Sequence, residues 1–191
     1  MYSYEGKFVN TFGSRGTGDG QLKGPCGIAI DHEERLVISD RDNHRVQVFD
    51  LEGNFIFLFG GSGSADGKMN SPRHIAITPD NHILVSDTNN FRIQRFDRNG
   101  KFLFKFGVKG SSTGQFMCPS GIGVDSENQI VVADFKNLNV QIFTQEGTFL
   151  KALGFEGCDN EGLFSKPTGL YVSSNGNILV ADRGTHRIQL F

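Results

Sequence analysis

A chain of 191 residues with 25 glycines, 18 phenylalanines, no tryptophan and a formal charge of −2 is long enough for one domain with a buried core. Three cysteines without CxxC spacing, Cys26, Cys118 and Cys158, argue against a disulfide framework and a zinc site, and are expected as buried or partly buried thiols. No apolar run is long enough to cross a bilayer and the start, MYSYEGKF, lacks the apolar region of a signal peptide, so a soluble cytoplasmic chain with no membrane partner is expected.

Taken in order, residues 4–13, YEGKFVNTFG, form a short Phe-containing run that ends in glycine. From Pro25 to Gly60 come four runs of about five residues rich in Val, Ile, Leu or Phe. They are Gly27–Ile30, Leu36–Ser39, Arg45–Phe49 and Phe55–Phe59, and the breaks DHEER, SDRDN and DLEGN between them carry the Asp, Asn and Gly that turns require. Four antiparallel strands, a to d, are expected. The unit returns over residues 72–107, 119–154 and 167–191, with Pro25, Pro72, Pro119 and Pro167 spaced by 47, 47 and 48 residues. Asp40, Asp87, Asp134 and Asp182 keep that interval, as do Phe49, Phe96, Phe143 and Phe191.

Four strands recurring at such a period mark the blades of a β-propeller, since one small sheet buries both faces only when neighbours flank it. No long stretch has the 3.6-residue period of a helix, which excludes a helical solenoid. Residues 4–13 match strand d and the last repeat stops after strand c, so the chain runs d, three times abcd, then abc. The first strand is expected to complete the last blade and close a four-bladed ring; an open arc of a six-bladed ring has the same phase.

The elements PCGIAI, LVISDRDNHRVQVF and GNFIFLFG of the first unit, and SPRHIAI, ILVSDTNNFRIQRF and GKFLFKFG of the second, resemble the NHL repeat. The resemblance covers essentially residues 1–191 and points to the C-terminal NHL domains of TRIM-NHL proteins, the Brat-like and LIN-41-like regulators. Those domains usually have six blades. The repeats depart from the pattern in places: Asn139 stands where the others carry Arg45, Arg92 and Arg187, Thr185 stands at an Asn position, and His74 replaces the glycine of Gly27, Gly121 and Gly169.

In a propeller the d–a and b–c loops share one face and the a–b and c–d turns the other. On this division the d–a/b–c face carries twelve Lys and Arg against ten Asp and Glu, including Glu156, Asp159 and Glu161. The opposite face carries three against ten, so an anionic partner would avoid it. The recurring Asp40, Asp87, Asp134 and Asp182 are expected to be structural, accepting backbone N–H groups of the b–c loops or pairing with Arg45, Arg92 and Arg187.

The positions that vary between copies are the functional candidates: Arg41, Asp42, Thr88, Asn89, Phe135, Lys136 and Arg183 in b–c loops, and Cys26, Arg73, Ser120 and Thr168 after each proline, near the axis. The resemblance implies recognition of RNA, single-stranded or stem-loop, on this face in post-transcriptional regulation. Arg41, Arg73, Lys136 and Arg183 would contact phosphate, Phe135 would stack a base, and His74 would lie beside them. A protein-binding scaffold, such as the substrate-recruiting part of a ubiquitin ligase, is the alternative; DNA is not expected.

Enzymatic chemistry finds little support. His74 alone approaches the inner strand, and GSRGTGDG and GGSGSADG lead into strands rather than helices, so they are expected to be flexible d–a loops rather than phosphate cradles. No catalytic residue, metal or cofactor is expected. Any ligase activity would belong to a RING domain elsewhere.

Overall fold

The computed structural model describes residues 4–154 and 162–191. Glu156, Cys158, Asp159 and Glu161 lie outside the described residues. A short parallel pair, β1 (Ser14–Arg15) and β2 (Gln21–Leu22), precedes the repeats. Blade I is β3 (Pro25–Ile30), β4 (Leu36–Asp40), β5 (Arg45–Phe49) and β6 (Phe55–Gly60), and blade II is β7 (Pro72–Ile77), β8 (Ile83–Asp87), β9 (Arg92–Phe96) and β10 (Phe102–Phe106). Blade III is β11 (Pro119–Val124), β12 (Ile130–Asp134), β13 (Asn139–Phe143) and β14 (Phe149–Leu153), and blade IV is β15 (Pro167–Val172), β16 (Ile178–Asp182) and β17 (Arg187–Leu190). The neighbours within each sheet are antiparallel, giving an all-β propeller of four blades. Among the described residues helix is limited to single 3₁₀ turns at Arg41–Asn43 and Thr88–Asn90.

The burial of each strand follows from its place. In blades I and II every residue of strands b and c is buried, because a neighbouring layer covers both of their faces. Strand d alternates, as in Phe55–Gly60 and Phe102–Phe106, because one of its faces meets solvent. Apolar clusters fill the three gaps between blades. Val37, Val46 and Phe59 meet Ile75, Ile83 and Phe96 across the first gap, Leu84 and Ile93 meet Ile130 and Phe143 across the second, and Val131 and Val140 meet Ile178 and Val180 across the third. The Phe of the c strand is the keystone in blades I to III: Phe49, Phe96 and Phe143 are fully buried, whereas Phe191 is exposed. Each of the buried rings takes one from the preceding d-type segment at 5.1, 4.8 and 4.8 Å, namely Phe12, Phe59 and Phe106.

Strand a of each blade pairs its proline with the recurring aspartate and then slips register, as at Pro25↔Asp40 followed by Ile28↔Ile38. The slip brings the inner strands of successive blades close together. A Cβ on Gly27 would lie 2.6 Å from the Arg73 carbonyl, and one on Gly121 would lie 2.5 Å from the Thr168 carbonyl, so glycine is required at both. Hydroxyls cross the same gaps: Ser39 Oγ donates to the Arg73 carbonyl (2.5 Å), Ser86 Oγ to that of Ser120 (2.7 Å), and Ser120 Oγ to that of Thr168 (3.0 Å).

The ends depart from the expected ring closure. Among the described residues the fourth sheet has three strands, and residues 4–13 add none to it. The first segment lies instead against blade I, with Phe12 among Leu22, Leu36, Ile38 and Phe49. Ile28 on blade I and Ile188 and Leu190 on blade IV are exposed. The four blades form an open arc.

Candidate functional site

The d–a/b–c face is built on a clasp at the end of each b strand. Asp40 Oδ2 accepts from Arg45 Nε (2.9 Å), Asn43 Nδ2 (2.7 Å) and Gln47 Nε2 (3.2 Å), and Oδ1 accepts from the backbone N–H of Lys23 (2.6 Å). The same guanidinium donates to the carbonyls of Thr17, Gly18 and Gln21. Blade II repeats the arrangement with Asp87, Asn90, Arg92 and Gln94, whose donors hold the carbonyls of Ser64, Ala65 and Lys68. A buried pair of this kind is tolerable because every charged atom is hydrogen-bonded. The glycine-rich d–a loops expected to be flexible are therefore fastened to the blade that follows them.

The clasp changes where the repeat departs from its pattern. Asp134, without an arginine, takes the backbone N–H groups of Met117, Cys118, Lys136 and Asn137. The expected pairing of Asp182 with Arg187 is not made: Arg187 is exposed and donates to the Leu163 carbonyl (2.9 Å), while Asp182 accepts from Lys166 N–H, Gly184 N–H and Thr185 Oγ1. Thr185 stands in place of the asparagine of the other copies, and its hydroxyl bonds the carboxylate as the Asn43 and Asn90 amides do. Burial pushes the Asp182 carboxyl up, but the N–H groups of Lys166 and Ser165 and the Thr185 hydroxyl outweigh it and hold the group below the usual carboxylate range.

Sequence reasoning missed the glutamines. Gln47, Gln94 and Gln141 are buried, accept from Gly20, Gly67 and Gly114 N–H, and donate to the carbonyls of Gln21, Lys68 and Gln115. Gln189 donates likewise to the Leu163 carbonyl. The signal was one amide at the same place in four apolar strands.

The variable positions sort into three places. At the blade II/III boundary, Arg73, Phe135 and Lys136 come together around Cys118, and His74 follows Arg73 on β7. The Phe135 N–H donates to the Cys118 carbonyl (3.1 Å), and the charges of Arg73 and Lys136 both act on the Cys118 thiol, which burial nonetheless pushes up. Arg73 Nε is buried without a hydrogen-bond partner. Burial, with the Arg73 charge adding, holds His74 below the ordinary histidine range, so it is neutral at pH 7. Lys136 is exposed and Phe135 half-buried.

On blade I, Arg41 pairs with Asp42 at 2.8 Å, which raises the arginine further and lowers the aspartate. On blade IV, exposed Arg183 lines an open cleft of about 330 Å³ with His186, Arg187 and Ile188. Thr88 and Ser120 are buried, bonded to the carbonyls of Pro119 and Thr168, and are parts of the scaffold. Cys118 is buried as expected, whereas Cys26 is exposed. A cleft of about 480 Å³ beside the loop that enters blade I, lined by Ser14, Arg15, Lys23 and Asp42 among others, was not foreseen.

The opposite face is less acidic than its turns suggest. Arg95, a strand c residue, reaches Asp80 (2.6 Å) and the Gln145 carbonyl (3.1 Å), and Arg35 reaches Asp31 (2.6 Å) and Glu33 (3.3 Å). Among the described residues no three His, Cys, Asp or Glu side chains group as metal ligands would, and no helix is long and apolar enough to cross a membrane.

The NHL repeat, as a family, matches residues 22–49, 69–96, 116–143 and 164–191. Protein lin-41 of Caenorhabditis elegans is 50% identical over 42 residues, 22% of this chain and 4% of that protein. E3 ubiquitin-protein ligase TRIM71 of Rattus norvegicus is 46% identical over 41 residues, 22% of this chain and 5% of that protein. Among solved structures, a catalytically inactive virginiamycin B lyase from Staphylococcus aureus with quinupristin superposes with a TM-score of 0.67 at 14% identity, over 88% of this chain and 55% of that one. A chain of a nidogen/laminin complex superposes at 0.64 and 20% identity, over 90% and 62%. At these identities the structural likeness is one of fold. The chain spans a small part of the curated relatives and little more than half of the solved propellers.

Proposed function

This chain belongs to the NHL-repeat family, and from that premise we propose that it is a non-catalytic binding platform that recognises single-stranded or stem-loop RNA on the d–a/b–c face. The reading is of a cytoplasmic, post-transcriptional role of TRIM-NHL type, with no catalytic residue, metal or cofactor and no DNA partner. The observation that carries it is Arg73. Its buried Nε has no acceptor within the protein, Lys136 stands nearby, and His74 adds no charge. Arg73 as a whole is only half-buried and Lys136 is exposed, so a phosphate oxygen meeting them would be held by charge-assisted bonds. Phe135, beside Lys136, is the stacking surface, worth about 1–3 kcal/mol per base where stacking occurs.

Binding of a protein partner is the second reading. It is favoured by the engagement of Arg41 with Asp42 and of Arg45 and Arg92 within their clasps, which leaves few cations for phosphate. Labelled single-stranded and stem-loop RNAs, titrated by anisotropy across salt, separate the two. Three phosphate contacts, from Arg73, Lys136 and Arg183, predict a slope of log K against log salt of about −2. Arg73→Glu and Lys136→Glu should each weaken binding at least tenfold. Absence of binding near physiological salt would overturn the RNA reading in favour of the protein one.

A further inference from the structure

Blades I, II and III build the same carbonyl cradle from the loop that enters them, but blade III brings no cation to it. The Arg45 guanidinium donates to the carbonyls of Thr17, Gly18 and Gln21 at 2.8, 2.7 and 2.8 Å. That of Arg92 donates to Ser64, Ala65 and Lys68 at 2.9, 2.9 and 2.8 Å. The counterparts in blade III are Ser111, Ser112 and Gln115, and the turn is the same: the Gln21 N–H donates to the Gly18 carbonyl, the Lys68 N–H to that of Ala65 and the Gln115 N–H to that of Ser112. The strand c residue beneath them is Asn139, and among the described residues no side chain donates to the Ser111 or Ser112 carbonyl. Even in blade IV the outward Arg187 still reaches the Leu163 carbonyl, the counterpart of Gln115.

Blade III therefore presents acceptors. The Asn139 Oδ1 is buried without a hydrogen-bond partner. Asp134 is 0% exposed like Asp40 and Asp87, but only those two have an arginine at 2.9 and 2.8 Å. Lys109, the cation carried by this loop, is engaged over the Phe91 ring of blade II. Asn139 is half-buried where Arg45 and Arg92 are buried, so solvent reaches the place.

We propose that blade III binds the guanidinium group of an arginine side chain from a partner polypeptide, seated as Arg45 and Arg92 seat theirs. The ligand class follows from the two filled copies in the same molecule. A guanidinium carries N–H donors in one plane and no acceptor, which matches carbonyls along one turn with a buried carboxylate beside them. A phosphate would meet only like-charged or acceptor atoms there. The site thus stands apart from the RNA reading, and neither depends on the other.

The test is amide NMR on the isotope-labelled full chain, without RNA. Guanidinium chloride at low millimolar concentration, against sodium chloride at equal ionic strength, should shift the amides of Ser111, Ser112 and Asn139 saturably. Those of Gly18 and Ala65 should stay in place, because their cradles hold an arginine already. A capped Gly-Arg-Gly tripeptide should act likewise, and its citrulline counterpart, matched in shape but uncharged, should bind at least about tenfold more weakly. Asn139→Arg supplies the cradle from within and should abolish the response. Asn139→Leu, which keeps the bulk and removes the acceptor, should weaken it at least about threefold and serves where the arginine variant does not fold. Shifts that fail to saturate, that appear equally in blades I and II, that survive both substitutions, or that the tripeptide does not reproduce would overturn the proposal.

Discussion

Asp87 and Arg92 lie 2.8 Å apart with almost no solvent contact, while Asp182 sits in the equivalent place with its arginine turned outward. The difference sets the cost of removing each carboxylate. Asp87→Ala leaves a buried guanidinium uncompensated and should destabilise by about 3–5 kcal/mol. Asp182→Ala loses neutral donors only and should cost about 1–3 kcal/mol. Urea unfolding of both variants checks the order. His74 gives a pH signature. Its proton affinity is depressed by burial, so the unfolded chain binds the proton more tightly, and stability present above the ordinary histidine value of about 6.5 is lost as pH falls below it. His74→Gln should flatten the stability profile between about pH 5 and 7. A profile unchanged by the substitution would show that His74 is not the group responsible. At this scale the recurring aspartates were legible because an acid repeated in phase is a structural statement. The exception at Arg187 was not, since Asp182 and Arg187 stand at the same spacing as the two pairs that do form.

Among elements, the strands were legible almost to the residue, because short β-branched and phenylalanine runs between Asp, Asn and Gly turns leave little else to form. The inner strands extended two residues further, to each proline, because the register slip lets Pro25, Pro72, Pro119 and Pro167 join the sheet without donating an N–H. The loops misled: composition marks GSRGTGDG as pliant, whereas three carbonyls in Thr17–Gln21 are held by one guanidinium. The close approach of inner strands yields a prediction. Gly27→Ala would set a methyl 2.6 Å from one backbone atom and 2.7 Å from another in blade II, neither of which can swing aside. Thermal unfolding should register a loss of about 1–3 kcal/mol, the usual cost of overpacking. A Gly27→Ala chain as stable as the parent would mean the blades are free to part there.

For the whole molecule, period and phase announced a propeller, yet whether it closes was not written in them. The order d, abcd, abcd, abcd, abc serves a ring and an arc equally, and curvature is decided by side-chain packing between blades. The polarity of the two faces was legible as a trend. Arg95 tempered it by reaching the acidic side from a strand whose outward direction could not be assigned from charge alone. Exchanging Glu127 and Glu146, which belong to that side, for Gln should alter RNA affinity by no more than about twofold at physiological salt, because screening acts over about 8 Å. A larger change in the same anisotropy titration would mean that the ligand reaches around the rim.

The clasps carry a consequence for how such a surface changes over generations. Each fastens within its own blade, from the foot of the b–c loop to the loop arriving before it, so the side chains of Arg41 and Lys136 bear no weight, whereas Thr88 is tied to the Pro119 carbonyl of the next blade. Substitutions at positions such as Arg41 or Lys136 therefore rewrite one patch without loosening the next. Descendants of this scaffold are free to exchange ligands piecemeal, one blade's vocabulary at a time, while the framework beneath stays constant.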